Sequence, residues 1–432
     1  MPKDNQNQNI RKYDVVLYGA SGFVGKQTVE YFAKLAKLTN DANDANDAKV
    51  ELTWALAGRS KDKLEAVKTS AGQGAKKAGI IVADAHDKSA LDKLAKSAKV
   101  VLSTAGPFAL YGSDLVEACV NNGTHYVDIT GETPWVYGLI EKHHEAAKKT
   151  GTRIIPFCGF DSVPSDLGAW LVAKTMFDTY GEPVESVKAA FSMRGGVNGG
   201  TLASMFNFMG SEQAGLLADP FLLNPASAMN VSIAAHKDPI TPTNDMDFKA
   251  WLGPFFMGPI NTRVVRRSAA LLTLETPKRG KPQLYSKDFH YQEYMRFGAG
   301  PVAGAAAAAF SAGMLGSQTA MKFSTLRNLA SKLAPGPGTG PSETSMNGGS
   351  FRCELIGKSA SGRVVRGRIS DKGDPGNRAT TKMVCEAALC LALQFDDLPG
   401  GAKHGGLLTP ATGLGEVLLA RLRATGMTLD AS

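Results

Sequence analysis

The stretch VVLYGASGFVG, residues 15–25, is an apolar run that breaks into glycines at Gly19, Gly22 and Gly25 and continues as the helical pattern KQTVEYFAKLAKL. A strand that turns through G-x-x-G-x-x-G into a helix leaves free N–H groups at the helix start, where a dinucleotide pyrophosphate is held. The first glycine permits the tight turn, the second lets the backbone approach the phosphates, and the third lets helix pack on strand. Ala20, Ser21, Phe23 and Val24 complete the loop, so the whole of 19–25 is a candidate cofactor cradle.

Outward from this turn, short β-branched runs alternate with helical patterns through about residue 165. The strands read DVVLYG, ELTWALAG, GIIVAD, KVVLSTAG, THYVDITG and RIIPFCG. Six strands in that rhythm predict an α/β fold with an N-terminal Rossmann-type doubly wound parallel sheet over residues 13–168. The polar residues 1–12 read as a flexible tail, and the NDANDANDA repeat at 40–48 reads as a surface insertion. Beyond it the rhythm changes. SVKAAFSM and the hairpin SFRCELIGKSASGRVVRGRISD predict a second α+β domain on a mixed sheet over 169–375, with a long, largely helical stretch between them. Two closing helical patterns within 376–432 are placed to pack back on the first domain.

Strand two ends ALAGRS. An NAD site carries a carboxylate there for the ribose 2′-hydroxyl, whereas Arg59 with Ser60 suits a 2′-phosphate, because the guanidinium offers a planar fork of donors. NADP(H) is therefore expected, ahead of NAD(H). Asp84, after strand three, is placed to meet the adenine edge or to cap the next helix. Ala105, Gly106 and Pro107, after strand four, are small enough to leave room for the rest of the dinucleotide.

The chain carries 48 basic and 40 acidic residues in 432, a net charge of +8, without a dense basic stripe. Nucleic acid is thus not an expected partner. Five scattered cysteines without metal-ligand spacing indicate reduced thiols and a cytoplasmic protein, and no zinc set is assembled. Residues 297–321 form an uncharged segment long enough to span a bilayer. Its Ala/Gly content favours a packed or interfacial helix, with peripheral membrane contact left open.

Several families share the glycine turn. No tyrosine begins the Tyr-x-x-x-Lys pair of a short-chain dehydrogenase, and neither Cys119 nor Cys158 has an evident base. The segment CGFDSVPSDLG, residues 158–168, together with GASGFVG, AGR, STAGPF, YVDITGE, GGTLAS, NTRVVRRS, GDPGNRAT and GGLLTPA, resembles the saccharopine dehydrogenase-like oxidoreductases, which include the trans-acting enoyl reductases. The resemblance implies a nucleotide-binding domain, a substrate-bearing second domain and NADP use; it does not imply saccharopine as substrate.

Hydride chemistry belongs to the cofactor, and the protein supplies orientation, a dry pocket and a proton donor where one is needed. Asp161 and Ser162, after strand six, and Tyr111, after strand four, are the catalytic candidates. Ser165 and Asp166 are placed to cap the following helix, and Asp128, Thr130 and Glu132 end strand five. Arg194, Asn198 and Thr201 are candidates for binding substrate. Met205, Phe206, Phe208 and Met209 suit either an apolar substrate or a core helix, and Arg263, Arg266 and Arg267 either an acidic ligand or a solvated loop. Arg194 and Arg378 alone could clamp carboxylates. The expected activity is NADP(H)-dependent reduction of a C=C or C=O bond in an apolar, acyl-type small molecule. A lipid-associated NADP(H)-binding protein without turnover and a true amino-acid dehydrogenase are the alternatives. The edge of the second sheet allows pairing as a homodimer.

Overall fold

The computed structural model describes residues 11–41, 52–196, 198–199, 202, 204, 212–228, 233–279, 283–321, 323–333, 336 and 338–432. Its first half alternates β1 (Tyr13–Tyr18), α1 (Phe23–Asp41), β2 (Trp54–Gly58), α2 (Lys61–Ser70), β3 (Gly79–Val82), α3 (Lys88–Ser97) and β4 (Ala98–Ser103). Then come α4 (Phe108–Tyr111), α5 (Ser113–Asn122), β5 (His125–Asp128), α6 (Thr133–Thr150), β6 (Arg153–Ile155) and α7 (Val163–Tyr180). The second half holds β7 (Val184–Arg194), β8 (Thr243–Asp245), β9 (Ala250–Pro254), α8 (Gly258–Arg279), β10 (Tyr285–Gly298), α9 (Pro301–Ala320), α10 (Ser324–Leu333) and α11 (Glu343–Asn347). It closes with β11 (Ser350–Ser359), β12 (Val364–Lys372), α12 (Thr380–Leu393), β13 (Gly406–Leu407), α13 (Pro410–Gly413), α14 (Gly415–Ala424) and β14 (Thr428–Ala431).

The strands of the first sheet run in the order β13-β6-β5-β4-β1-β2-β3, all parallel. Helices cover both faces, which is why its strands read as unbroken apolar runs. β1 lies between β2 and β4, with Val15 opposite both Trp54 and Val100. Strand order reverses between β1 and β4, and the crevice at their carboxyl ends is where this topology binds a dinucleotide. A seventh strand, β13, arrives from the far end of the chain and pairs with β6. The preceding α12 packs on β1, β4, β5 and α1.

The second sheet runs β14-β12-β11-β7-β10-β9-β8 and is mixed, since β7 is parallel to β10 and antiparallel to β11. α7 lies on one face, where Gly357 and Gly367 admit the Val172 methyls. The stretch between β7 and β11, expected to be largely helical, in fact carries β8, β9 and the 14-residue β10. β10 is dense in charged residues and its register shifts between Tyr285 and His290, which breaks the alternation that would betray a strand. Within the uncharged segment, α9 packs on β9 through a narrow stripe of Ala303, Ala307 and Ser311, and Gly304 lies against Trp251. Among the described residues, no helix is long and apolar enough to cross a membrane.

NTRVVRRS proves to be neither a loop nor solvated. Arg263, Arg266 and Arg267 lie inside α8, each no more than 3% exposed. Their guanidinium groups donate to main-chain carbonyls: Arg263 to Asp219 and Leu217, Arg266 to Pro220 and Tyr291, Arg267 to Leu223 and, at 2.6 Å, to Leu407 of β13. They are internal braces that tie α8 to residues 217–223 and, through Tyr291 and Leu407, to one strand of each sheet, and they are unavailable to an acidic ligand. At the chain's start, Arg11 donates to Ala95 and Lys96 carbonyls and to Thr124, which ties residue 11 to the first domain. Replacing Arg267 with Met leaves the Leu223 and Leu407 carbonyls buried without a donor. At about 1–3 kcal/mol for each orphaned group, urea unfolding is expected to show a loss of about 2–6 kcal/mol.

Candidate active site

The glycine turn is tightly specified by contact. Gly19 has φ +83°, and a Cβ there would lie 2.8 Å from the Ala105 nitrogen. A Cβ on Gly25 would lie 2.1 Å from the Gly19 carbonyl oxygen and 2.9 Å from Ala20 Cα, so any side chain at 25 would push α1 off the strand. Thr104 secures the facing loop by donating its N–H to the Tyr18 carbonyl at 2.9 Å. Ala105, Gly106 and Pro107 follow, with a cis Gly106–Pro107 peptide. Glu132 then holds the start of α4, its carboxylate accepting the N–H groups of Phe108 and Ala109 at 2.7 and 2.8 Å. It therefore caps the neighbouring helix and makes no side-chain cap on its own, α6.

At the β2–β3 side of the cradle, Arg59 is exposed and engages no hydrogen bond or ion pair with another described residue. Ser60 starts α2 with its hydroxyl making no cap bond. Both are thus available to an anion beside the helix start. Asp84 is exposed and closes a short turn by accepting the His86 N–H at 3.0 Å, while Asp87 is the residue that caps α3. Burial, with Asp84 adding to it and Arg59 opposing, pushes the phenol of Tyr18 up to about 12. The glycine cradle, the helix start and a free guanidinium are the donor set that an NADP phosphate skeleton requires.

On the other side of β4, Asp128 is fully buried and stitches β5 to β6. Its carboxylate accepts from the Tyr126 hydroxyl and from the N–H groups of Thr130 and Phe157, the last at φ +67°. Burial pushes this carboxyl up to about 7. Asp161 also reaches about 7, from desolvation alone. Its Oδ2 lies 3.7 Å from where a Gly131 Cβ would sit, and Ile260 Cδ1 and Met257 Cε lie within 4.0 Å of the same point. Asp161 thus meets the second domain across a space that glycine keeps open. Ser162 begins a buried polar chain: its hydroxyl donates to Asn261 (3.1 Å), Asn261 donates to Glu293 (2.9 Å), and Tyr291 donates to the same carboxylate (2.7 Å). Asn261 and Glu293 were not singled out from sequence; no local spacing connects them, because α8 and β10 bring them together.

The remaining candidates are distributed more widely. Tyr111 leans on His86 at 5.9 Å between ring centroids, toward the β3 end of the sheet, whereas Asp161 follows β6 on the opposite side of β4. Arg194 is exposed at the end of β7. Asn198 is buried and donates to Asn377 at 2.9 Å. Thr201, Met205, Phe206, Phe208 and Met209 lie outside the described residues. Ser165 and Asp166 do not cap α7: both lie inside its first turn, and Asp166 accepts from Ser268 and from the Ala411 N–H. The acid is used to anchor the C-terminal segment.

A glycine cradle at the switch point of a parallel sheet, joined to a mixed-sheet domain over its carboxyl edge, defines a dinucleotide-dependent oxidoreductase. Residues 15–155 match the saccharopine dehydrogenase NADP binding domain. A Mycobacterium tuberculosis protein provisionally named a trans-acting enoyl reductase is 36% identical over 435 residues, covering 97% of both chains. The trans-acting enoyl reductases of Mycobacterium bovis and Mycobacterium ulcerans are each 35% identical, over 97% and 98% of both chains. The apo saccharopine dehydrogenase (L-Glu forming) of Saccharomyces cerevisiae aligns with 97% of this chain and 99% of its own at 15% identity and a TM-score of 0.47. The chain belongs to the saccharopine dehydrogenase-like family of trans-acting enoyl reductases, and its cofactor is NADP(H).

Titration of NADPH and NADH by fluorescence tests the cradle. Arg59→Ala is expected to weaken NADPH by about tenfold or more, the worth of a charge-assisted phosphate contact, and to leave NADH unchanged. Equal losses for both cofactors would remove Arg59 from the 2′-phosphate site.

Proposed function

We propose that this protein reduces the carbon–carbon double bond of an α,β-unsaturated, apolar acyl substrate with NADPH, the acyl group being presented free or on a carrier. The near-full-length likeness to trans-acting enoyl reductases supports this reading. The observation on the molecule that carries it is Asp161: a desolvated carboxyl, without a described hydrogen-bond partner, facing Met257 and Ile260 at the carboxyl edge of the sheet.

Bound NADPH supplies a hydride to one carbon of the double bond. Gly19 to Gly25 orient the pyrophosphate, and Ala105 and Gly106 leave room for the rest of the dinucleotide over β4. Asp161 keeps its proton near neutrality and delivers it to the other carbon, so that C=C becomes CH–CH and the carboxylate is reprotonated from solvent. Met257, Ile260 and the exposed Phe256 offer hydrocarbon rather than charge to the substrate. A polycarboxylate amino acid would need converging cations. Arg194 stands exposed at a strand end, and Arg378 is engaged by Gln27, Asn347 and Glu343, so the described residues assemble no such clamp.

The five cysteines are all buried and unpaired, in keeping with a reducing cytoplasm. Exposed Val302, Leu315, Phe323, Leu326 and Leu329 support peripheral membrane contact, and the edge strands β8 and β14 support self-pairing as a homodimer. Sedimentation with and without anionic vesicles separates the two: a mass of two chains without lipid supports the dimer, and co-pelleting supports the contact.

Because Asp161 must be protonated to act, kcat with an enoyl thioester is expected to be highest below pH 7 and to fall as pH rises through about 7. Asp161→Asn should lower kcat by about 100-fold, abolish that limb and leave the NADPH Kd unchanged. A variant with the wild-type kcat and pH profile would dismiss Asp161 as the proton donor.

A further inference from the structure

Among the described residues, the second domain reaches over the glycine turn at residues 338–347, and the Arg378 side chain ties it there. Residues 338–347 run from a glycine-rich turn into α11. Within them Gly340 is pressed flat on the ring of Phe23, in the cofactor cradle: a Cβ on Gly340 would lie 2.4 Å from two of its ring carbons. The strap is tied to its own domain by the Gly199 N–H, which donates to the Thr339 carbonyl at 3.0 Å, and by Pro341, which lies on Gly196.

Arg378, in the GDPGNRAT motif, joins this strap to the cradle helix. Its Nε donates to Asn347 at 3.1 Å and one terminal nitrogen pairs with Glu343, both on α11. The other donates to Gln27 of α1 at 2.9 Å. The arginine is aimed by its own loop. Asp374 accepts the Arg378 N–H at 3.1 Å and the Asn377 side-chain amide at 2.6 Å, and Asn377 in turn receives Asn198. All three guanidinium nitrogens are engaged by protein acceptors, which makes Arg378 a tie between domains rather than an open phosphate ligand. Gln27 is 6% exposed, and its amide nitrogen has no hydrogen-bond partner among the described residues.

We propose that Arg378 and Glu343 are positioning residues for NADP(H): they clasp the 338–347 strap over Phe23, closing the phosphate end of the cofactor groove and setting how long the dinucleotide stays bound. Cofactor leaves when the strap lifts, and the Arg378 ties set the cost of lifting it. The inference goes beyond the reduction reading, because it depends on cofactor binding and not on Asp161 or on the identity of the substrate.

The test is stopped-flow fluorescence of NADPH binding to the full chain, in wild type and in Arg378→Ala, Glu343→Gln and Gly340→Ala, with thermal melting as the check on folding. The Glu343 side chain is 70% exposed, so its conservative variant keeps the experiment informative where Arg378→Ala folds poorly. Loss of Arg378 with its three ties is expected to raise koff by about tenfold with kon unchanged or faster, Gly340→Ala, which lifts the strap sterically, should do the same, and Glu343→Gln, at a pair open to solvent, should raise it by about three- to fivefold. A koff within about twofold of wild type in the folded variants would overturn the clasp, since each of them is expected to exceed that. So would a fall in kon at constant koff, with a flattened salt dependence, which would make Arg378 an electrostatic attractor of phosphate. Failure of the wild type to bind NADPH would overturn the cofactor assignment itself, a result distinct from either.

Discussion

The contact between Gly25 and the Gly19 carbonyl is the constraint on which the rest of the molecule depends. With no side chain at 25, α1 can settle against the end of β1, and the first N–H groups of the helix then face the crevice between β1 and β4. Two further consequences come from the same close approach. Gly19 can adopt φ +83° directly against Ala105, so the loops after β1 and β4 form one surface. Phe23 is turned outward into the path of the second domain, where only a glycine, Gly340, fits over it. A phosphate-binding turn and a domain contact thus share one backbone geometry.

Buried polar groups brace the interior alongside the apolar core. Arg153, Arg263, Arg266 and Arg267 each donate at least two hydrogen bonds to main-chain carbonyls of loops, of β10 or of β13, and none has solvent to fall back on. Such braces cost much when broken, because each leaves an unpaired carbonyl or a buried charge. Burial raises the carboxyls of Asp128, Asp161, Asp166 and Glu293 to about 7 alike, yet their partners differ. Asp128, Asp166 and Glu293 each accept two or more hydrogen bonds and are structural. Asp161 has no such partner among the described residues, and it is the one that lies beside Gly131, Met257 and Ile260.

Legibility from sequence followed the range of the interactions. The six parallel strands were readable because each is a short apolar run bounded by glycine or a helical pattern, and the hairpin of β11 and β12 because its turn is local. β10 was not, since its inward residues Tyr285, Phe289 and Tyr291 are separated by charged ones and by a register shift. The arginines of NTRVVRRS are illegible for a related reason. Three cations in eight residues look solvated until the carbonyls from Leu217 to Leu223 and from Leu407 are brought to them. Ser165 and Asp166 stand where caps stand in sequence, but α7 begins at Val163, and Asp166 finds its partners 102 and 245 residues away.

The sequence by itself determined the nucleotide-binding half: the glycine turn, Arg59 at the end of β2, and the expectation of NADP(H), all of which rest on contacts within a few residues or between adjacent strands. Tertiary structure alone decided which polar residues are committed to the frame and which are left, among the described residues, without a partner. It placed Asp161 beside Gly131, Met257 and Ile260, withdrew Asp128, Asp166 and the three arginines into the frame, and set Arg378 between the domains. The physical reason is desolvation. Whether a buried carboxyl or guanidinium is a tool or a brace depends on the partners that satisfy it, and here those partners lie up to some hundreds of residues away along the chain.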